Sequence, residues 1–284
     1  MKMAIPSYAG PGQKVWYVWF RIYCAAVIIF LVLPILVIIP LSFSPTPFFV
    51  FTRKMLEFSP DGYSLRWYRN FLSDPSWMAS IRSSFIIAPL ATIIATVLGT
   101  LAALGLARAQ MPYRRLITSI LILPMVVPLI ITATALFFFF SAVHLVNTYP
   151  GLILAHAILG VPFVVMTVTD TLSGFDQQLV RAAQSLGASP ARAFFKITMP
   201  LVAPGIISGA LFAFMTSLDE VVIVMFVAGP GQRTLPLQMW TNLRYTIDPT
   251  ILAVATLIVA LSVVMLLALE FLRRRSARIR GVTA

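Results

Sequence analysis

The chain has 284 residues, of which 60% are apolar and only 11% charged, with a formal net charge of +12. Soluble domains run at about 45–50% apolar and about 25% charged, so a soluble globule would lack the polar surface to cover itself, and the same hydrophobicity excludes a disordered chain. The single cysteine, Cys24, excludes an internal disulfide and any cysteine-cluster metal site, which leaves a polytopic membrane protein.

Six runs are long and apolar enough to cross a bilayer, for which about 20 residues are needed. An N-terminal tail, 1–21, precedes the first of them, Ile22–Phe43. This run is too long for a cleavable signal, and no small-residue cleavage site follows it. Pro45 and Pro47 come next, opening a mixed segment to Ile81 whose Trp67, Tyr68 and Trp77 are typical of a membrane interface. The second run, Phe85–Ala107, leads through Arg108, Arg114 and Arg115 into the third, Leu116–Ser141. A short turn, His144–Pro150, precedes the fourth, Gly151–Leu172. A polar loop of about 173–200 separates it from the fifth, Leu201–Ala228. Gly229–Pro249 is rich in glycine and proline, and the sixth run, Ile251–Leu272, ends in a basic tail over 273–284. Pro34, Pro89, Pro124, Pro128, Pro162 and Pro204 fall inside or at the ends of these runs, where each breaks a backbone bond and kinks or ends its helix.

Six crossings put both termini on one side. That side then collects Lys2, Lys14, Arg21, the Arg108–Arg115 loop, Arg181, Arg192, Lys196 and the arginines from Arg273 to Arg280, twice as many basic residues as the other side. They lie in short segments beside the span ends, where the positive-inside rule has force. Both termini are therefore expected in the cytoplasm, and the positive charge serves orientation and lipid contact rather than nucleic acid, for which no motif is present.

The loop QQLVRAAQSLGASPARAFFKITMPLVAPGIISG, Gln177–Gly209, has a readable grammar. Good helix formers run to Leu186, and Gly187 suits the left-handed position that stops a helix. Ser189 followed by Pro190 is an N-cap and its first-turn proline. A second short helix is expected to about Thr198, ended by Pro200. Leu179, Ala182, Ala183 and Leu186 fall on one side at helical spacing. A bent pair of short helices is more than a connection requires, and suits an element that passes force to a soluble partner.

Asp219 and Glu220 lie in the fifth run, about 27 Å along the axis from Leu201. An acid within a span costs roughly 2.5–3.5 kcal/mol, so it normally faces a cavity or a partner. Neighbours on a helix point about 100° apart, so at most one of the two faces a pathway squarely. The pair reads either as an acidic surface for a cationic solute or as a structural cap or a partner of Arg233. Met215 reads as packing with an adaptable thioether; with Trp240 it joins the two acids as a candidate pathway residue. Asp170 reads as a loop anchor, and His144 and His156 lack metal-ligand spacing.

The loop resembles the EAA coupling loop of ABC-importer permeases. Ala182, Ala183 and Gly187 match its first part and Ile197, Met199 and Pro200 its later part, while Arg181 stands where the family has glutamate. SLRWYRNFL (Ser64–Leu72), SLDEVVIVMFVAGPGQRTLPLQMW (Ser217–Trp240) and ALEFLRRR (Ala268–Arg275) resemble the second permease subunit of spermidine/putrescine-type importers. The resemblance implies an all-α, six-span permease of the type I ABC importer fold in a bacterial inner membrane. It implies Arg181, Ala182, Ala183, Gly187, Ala188, Ser189 and Pro190 as the ATPase-coupling element. It also implies two ATPase subunits that bind ATP and magnesium, a homologous second permease and an extracytoplasmic substrate-binding protein. The chain itself has no G-x-x-x-x-G-K-[ST] stretch with which to cradle nucleotide phosphates. Putrescine-like or spermidine-like amines head the implied cargo, with opines, aminophosphonates and quaternary amines open. A self-sufficient carrier would usually show an internal repeat, and none relates the first three runs to the last three. An intramembrane enzyme would need a nucleophile or ligand motif, and none is seen.

Overall fold

The computed structural model describes residues 10–108, 111–174, 176 and 178–279. Lys2, Gln177 and Arg280, named above, lie outside the described residues. The chain divides into two compact units: one comprises the residues up to Phe71 with Asp248–Leu257, the other Leu72–Ile247 with the residues from Ile258.

In the first unit, helix α1 (Pro11–Leu41) starts earlier than the apolar run, so that Lys14 and Arg21 sit on its first turns. Short helices α2 (Arg53–Leu56) and α3 (Arg66–Ser73) follow. The α1 exit is tied to α3 by three polar contacts. Trp67 Nε1 donates to the Ser44 carbonyl at 2.7 Å, the Tyr68 hydroxyl and Ser42 Oγ are 2.7 Å apart, and Ser64 N–H donates to the Phe43 carbonyl at 2.7 Å. Buried Trp67 and Phe71 supply the apolar side of this clasp.

The second unit is built on α4 (Pro75–Leu106), α5 (Arg114–Val126), α6 (Leu129–Ala142) and α7 (Tyr149–Ser173). After the polar loop with α8 (Gln178–Ser185) and α9 (Pro190–Ala193) come α10 (Met199–Asp219), α11 (Val222–Val227) and α12 (Leu235–Tyr245). The last helix, α13 (Thr250–Ile279), belongs to this unit from Ile258 on, its first turns falling in the first unit. Small residues let α4, α7 and α10 approach closely, as expected where lipid supplies no hydrophobic drive between helices. A Cβ at Gly99 would meet Val164 Cβ at 2.7 Å, and one at Gly160 would meet the Ala213 and Ala95 methyls at 2.9 and 3.0 Å.

These contacts fix the directions. Along α4 and α7 the matched numbers rise together, Ser83 with Tyr149, Ala95 with Gly160 and Gly99 with Val164. The two helices are parallel. Along α7 and α10 they run oppositely, His156 with Ser217, Gly160 with Ala213 and Val164 with Gly209. The chain must therefore recross between Leu106 and Tyr149, which makes α5 and α6 one broken crossing rather than a loop that turns back.

Three expectations change here. The third run is not one helix: α5 and α6 meet at 103°. The cause is Pro128, which disfavours helical backbone in the residue before it; Val127 is extended, with φ −69° and ψ 135°. The fifth run is also broken, because Glu220 is extended, with φ −75° and ψ 125°, between α10 and α11. And Pro200 does not end the second coupling helix. The helix continues from Pro190 to Asp219 through a π-helical turn, Phe194–Thr198, in which Met199 N–H bonds the Phe194 carbonyl five residues back. Pro200 sits in the first turn of α10, where a missing N–H is harmless.

Candidate functional site

Where α10 ends, its last residue and the break after it line a cavity of about 660 Å³. Met215, Thr216, Leu218, Asp219 and Glu220 contribute from α10 and the break, Val221 and Val222 from the start of α11, Leu129 from α6, and Ile258, Val259 and Ser262 from α13. The walls are mainly aliphatic, with one exposed carboxylate and two hydroxyls.

The two acids have separate roles in this geometry. Glu220 is only 6% exposed, and its Oε1 accepts the Ile223 N–H at 2.6 Å. It thus satisfies a first-turn donor of α11, the function of a helix cap. Asp219 is exposed and makes no ion pair with Arg233 among the described residues. Of the two readings of the pair, the cap describes Glu220, and the cavity-facing acid is Asp219. The sequence placed both in the outer half of one helix; it did not show that the helix stops between them. An acid just before a run of β-branched residues was the available signal.

Met215 lines the same cavity, whereas Trp240 does not. Trp240 is on α12, 41% exposed, with the Arg244 guanidinium carbon 4.9 Å from its ring centroid. Thr216 and Ser262 were not foreseen, since single hydroxyl residues in an apolar run carry no pattern. His156 is not in the cavity wall; it is buried, with Nδ1 2.7 Å from Ser217 Oγ, and so ties α7 to α10.

Polar side chains hold the segment beyond α11 in place. Tyr149 OH donates to the Gly231 carbonyl at 3.0 Å, Leu235 N–H donates to Ser84 Oγ at 2.8 Å, and Gln238 Nε2 donates to Ser76 Oγ at 3.3 Å. Asp74 caps α4 through the Ser76 N–H at 2.7 Å and accepts the Ser76 hydroxyl at 2.6 Å. The Ser76 hydroxyl bond holds the Asp74 carboxyl below the usual carboxylate range.

The second candidate element is the bend between α8 and α9. Gly187 has φ +89°, and Ala188 N–H reaches back to the Ala183 carbonyl at 3.0 Å, the six-to-one bond of a glycine-terminated helix. Ser189 Oγ accepts the Arg192 N–H at 3.3 Å, with Pro190 in the first turn. The bend is therefore built as its residues dictate. Its apolar side chains are uncovered: Leu186 is 89% exposed, Phe195 66% and Leu179 48%. Arg181 and Ala182 are exposed beside them, while Ala183 and Ala188 are half-buried.

The model of the binding-protein-dependent transport system inner membrane component family matches residues 95–278, which take in α7, the bend, the cavity and α13. The putrescine transport system permease protein of Escherichia coli strain K12 is 36% identical over 78% of this chain and 82% of its own length. A spermidine/putrescine transport system permease protein of Shigella flexneri is 29% identical over 91% of this chain and 95% of its own. Among solved structures, a bacterial ABC transporter involved in the import of the acidic polysaccharide alginate superposes with a TM-score of 0.73 over 93% of this chain and 98% of that one, at 13% identity. The inward-facing MetNI methionine ABC transporter gives 0.59 over 69% and 94%, at 17% identity. At such identities these two establish the fold, that of ABC importer permeases, and not the cargo. With the family model spanning most of the chain and the close packing of α4, α7 and α10 in place, this chain belongs to the binding-protein-dependent transport system inner membrane components.

Proposed function

We propose that this chain forms half of the translocation pathway of an ABC importer for a small cationic amine, and that it performs no covalent chemistry itself. The observation that carries the cargo reading is Asp219, the exposed carboxylate in a mainly aliphatic cavity at the end of α10. An ammonium group is attracted to such an acid, and the aliphatic walls accept a methylene chain. The polyamine names of the similar permeases point the same way. Met215 supplies adaptable wall surface, and Glu220 keeps the helix end in shape.

A homologous second permease would supply the other half of the pathway, and an extracytoplasmic binding protein would deliver the solute. Two ATPase subunits, holding ATP and magnesium, would grip the bends. On this reading Arg181, Ala182, Ala183, Gly187, Ala188, Ser189 and Pro190 form the handle, with Leu186 and Phe195 as its apolar contacts. Because the helix runs unbroken from Pro190 to Asp219, a push on the handle is transmitted along one rigid element to the cavity acid. Alternating access is then rigid-body bistability rather than chemistry on the solute. Both termini lie in the cytoplasm on this reading, and the Ser42–Ser44 exit of α1 lies outside. Arg181, where relatives of the coupling-loop pattern have an acid, would select an acidic rather than a basic contact on the ATPase.

The test is cross-linking from Leu186→Cys in membranes that contain all subunits. The expected product joins this chain to an ATPase subunit, and labelling of the same cysteine from outside the cell would refute the reading.

A further inference from the structure

We infer that the concave face of α3 beside the α1 exit is a binding site for the phosphate headgroup of an anionic membrane lipid. This rests on the orientation proposed above only for the choice of leaflet. The first observation is depth. Residues Ser42 to Ser44 follow directly on the last turn of the membrane helix α1, and all three are bonded to α3 or its approach, through Tyr68, Trp67 and Ser64. Helix α3 is therefore held at the level where α1 leaves the hydrocarbon, which is the level of lipid headgroups.

The second observation is the chemistry presented there. Tyr63, Ser64, Leu65, Arg66 and Arg69 line a concavity of about 470 Å³. Arg66 and Arg69 are one turn apart on α3, and both are exposed and without an ion pair among the described residues. The Arg66 guanidinium carbon lies 5.0 Å from the centre of the Trp67 ring, whose own burial fixes that arginine's stem. Ser64 Oγ accepts the Arg66 N–H at 3.2 Å, which leaves its hydroxyl proton to donate. Two guanidinium forks and a hydroxyl around one hollow match a phosphodiester.

The third observation is exposed apolar surface in the same segment. Leu65, which lines the hollow, is 55% exposed, and Phe48 and Phe58, between α1 and α3 in the chain, are 67% and 83% exposed. In water these side chains would form an aggregation-prone surface; against acyl chains they are satisfied. Arg53 is already matched by Glu57 at 2.9 Å; of the cations left without an ion pair among the described residues here, Lys54 on α2 and the two α3 arginines, only the arginines line the hollow. The arrangement also accounts for arginines that stand against the positive-inside rule, since they hold lipid instead of setting orientation.

Each basic side chain near an anionic surface contributes about fivefold in binding, so removing both arginines should weaken lipid retention by about 25-fold. The assembled transporter is placed in nanodiscs of phosphatidylcholine with phosphatidylglycerol, and the lipid retained on release is read by native mass spectrometry. Wild type should retain phosphatidylglycerol selectively, R66Q/R69Q should lose it, and R66K/R69K should recover part of it. Equal retention by wild type and R66Q/R69Q would overturn the site. Displacement of the lipid by millimolar inorganic phosphate would overturn the lipid in favour of a soluble anion. Labelling of Ser64→Cys from the cytoplasmic face would refute the orientation while leaving the headgroup site standing, which separates the two failures.

Discussion

Replacing Glu220 by alanine and Asp219 by asparagine should produce opposite failures. Glu220 is 6% exposed, and its carboxylate accepts the Ile223 N–H at 2.6 Å. Truncation removes the cap and strands a buried donor, a loss of about 2 kcal/mol. That corresponds to roughly a 30-fold rise in the opened population of α11. Hydrogen exchange over Val222–Val227, followed by mass spectrometry on the assembled transporter, reads this directly. Glu220→Gln retains an acceptor oxygen and should lose less than half as much. Asp219→Asn removes a charge that no described partner uses, so exchange should stay at the wild-type level. Uptake of putrescine should fall by up to about fivefold, the effect of losing a solvent-screened pair with the solute's ammonium group. Wild-type exchange in Glu220→Ala would refute the cap, and wild-type uptake by Asp219→Asn would remove that carboxylate from the pathway.

Gly187→Ala should strain the handle by about 1 kcal/mol or more, because φ is +89° although the space around its Cβ is open; ATP hydrolysis stimulated by loaded binding protein should fall while the chain still inserts and assembles. Gly209→Ala should be worse for stability. Its Cβ would lie 2.5 Å from Thr167 Oγ1 and 2.7 Å from Val164 Cα, so α7 and α10 must separate, at about 1–3 kcal/mol. Gly12→Ala, with nothing within 4 Å, is the control, and equal melting of the two variants would refute the close approach. Asp74 has a carboxyl held low by Ser76. Its contribution is present above the unfolded carboxylate value and lost as pH falls through the lower folded value, below about pH 4. Asp74→Asn should flatten that acid limb in a melting series, with no change near neutrality.

The membrane class, the limits of the fourth run and the local grammar of the bend were legible in the sequence, whereas α1 and α4 begin about three turns before the apolar runs they carry. The legible features depend on neighbours a few residues apart. Gly187 stops α8 and Ser189 starts α9 whatever surrounds them. Proline positions were equally visible, but their outcome was not. Pro128 broke a crossing by 103°, whereas Pro200 was absorbed by a π turn, because backbone strain is settled by whichever packing can accept it. The division between Asp219 and Glu220 was likewise decided only in three dimensions. Two adjacent acids are equivalent until the chain direction changes, and it is the helix end between α10 and α11 that buries one side chain against backbone N–H groups and leaves the other facing the cavity. Thr216 and Ser262 joined Asp219 there, and Trp240 did not, since α13 meets α10 across a sequence distance that no periodicity encodes.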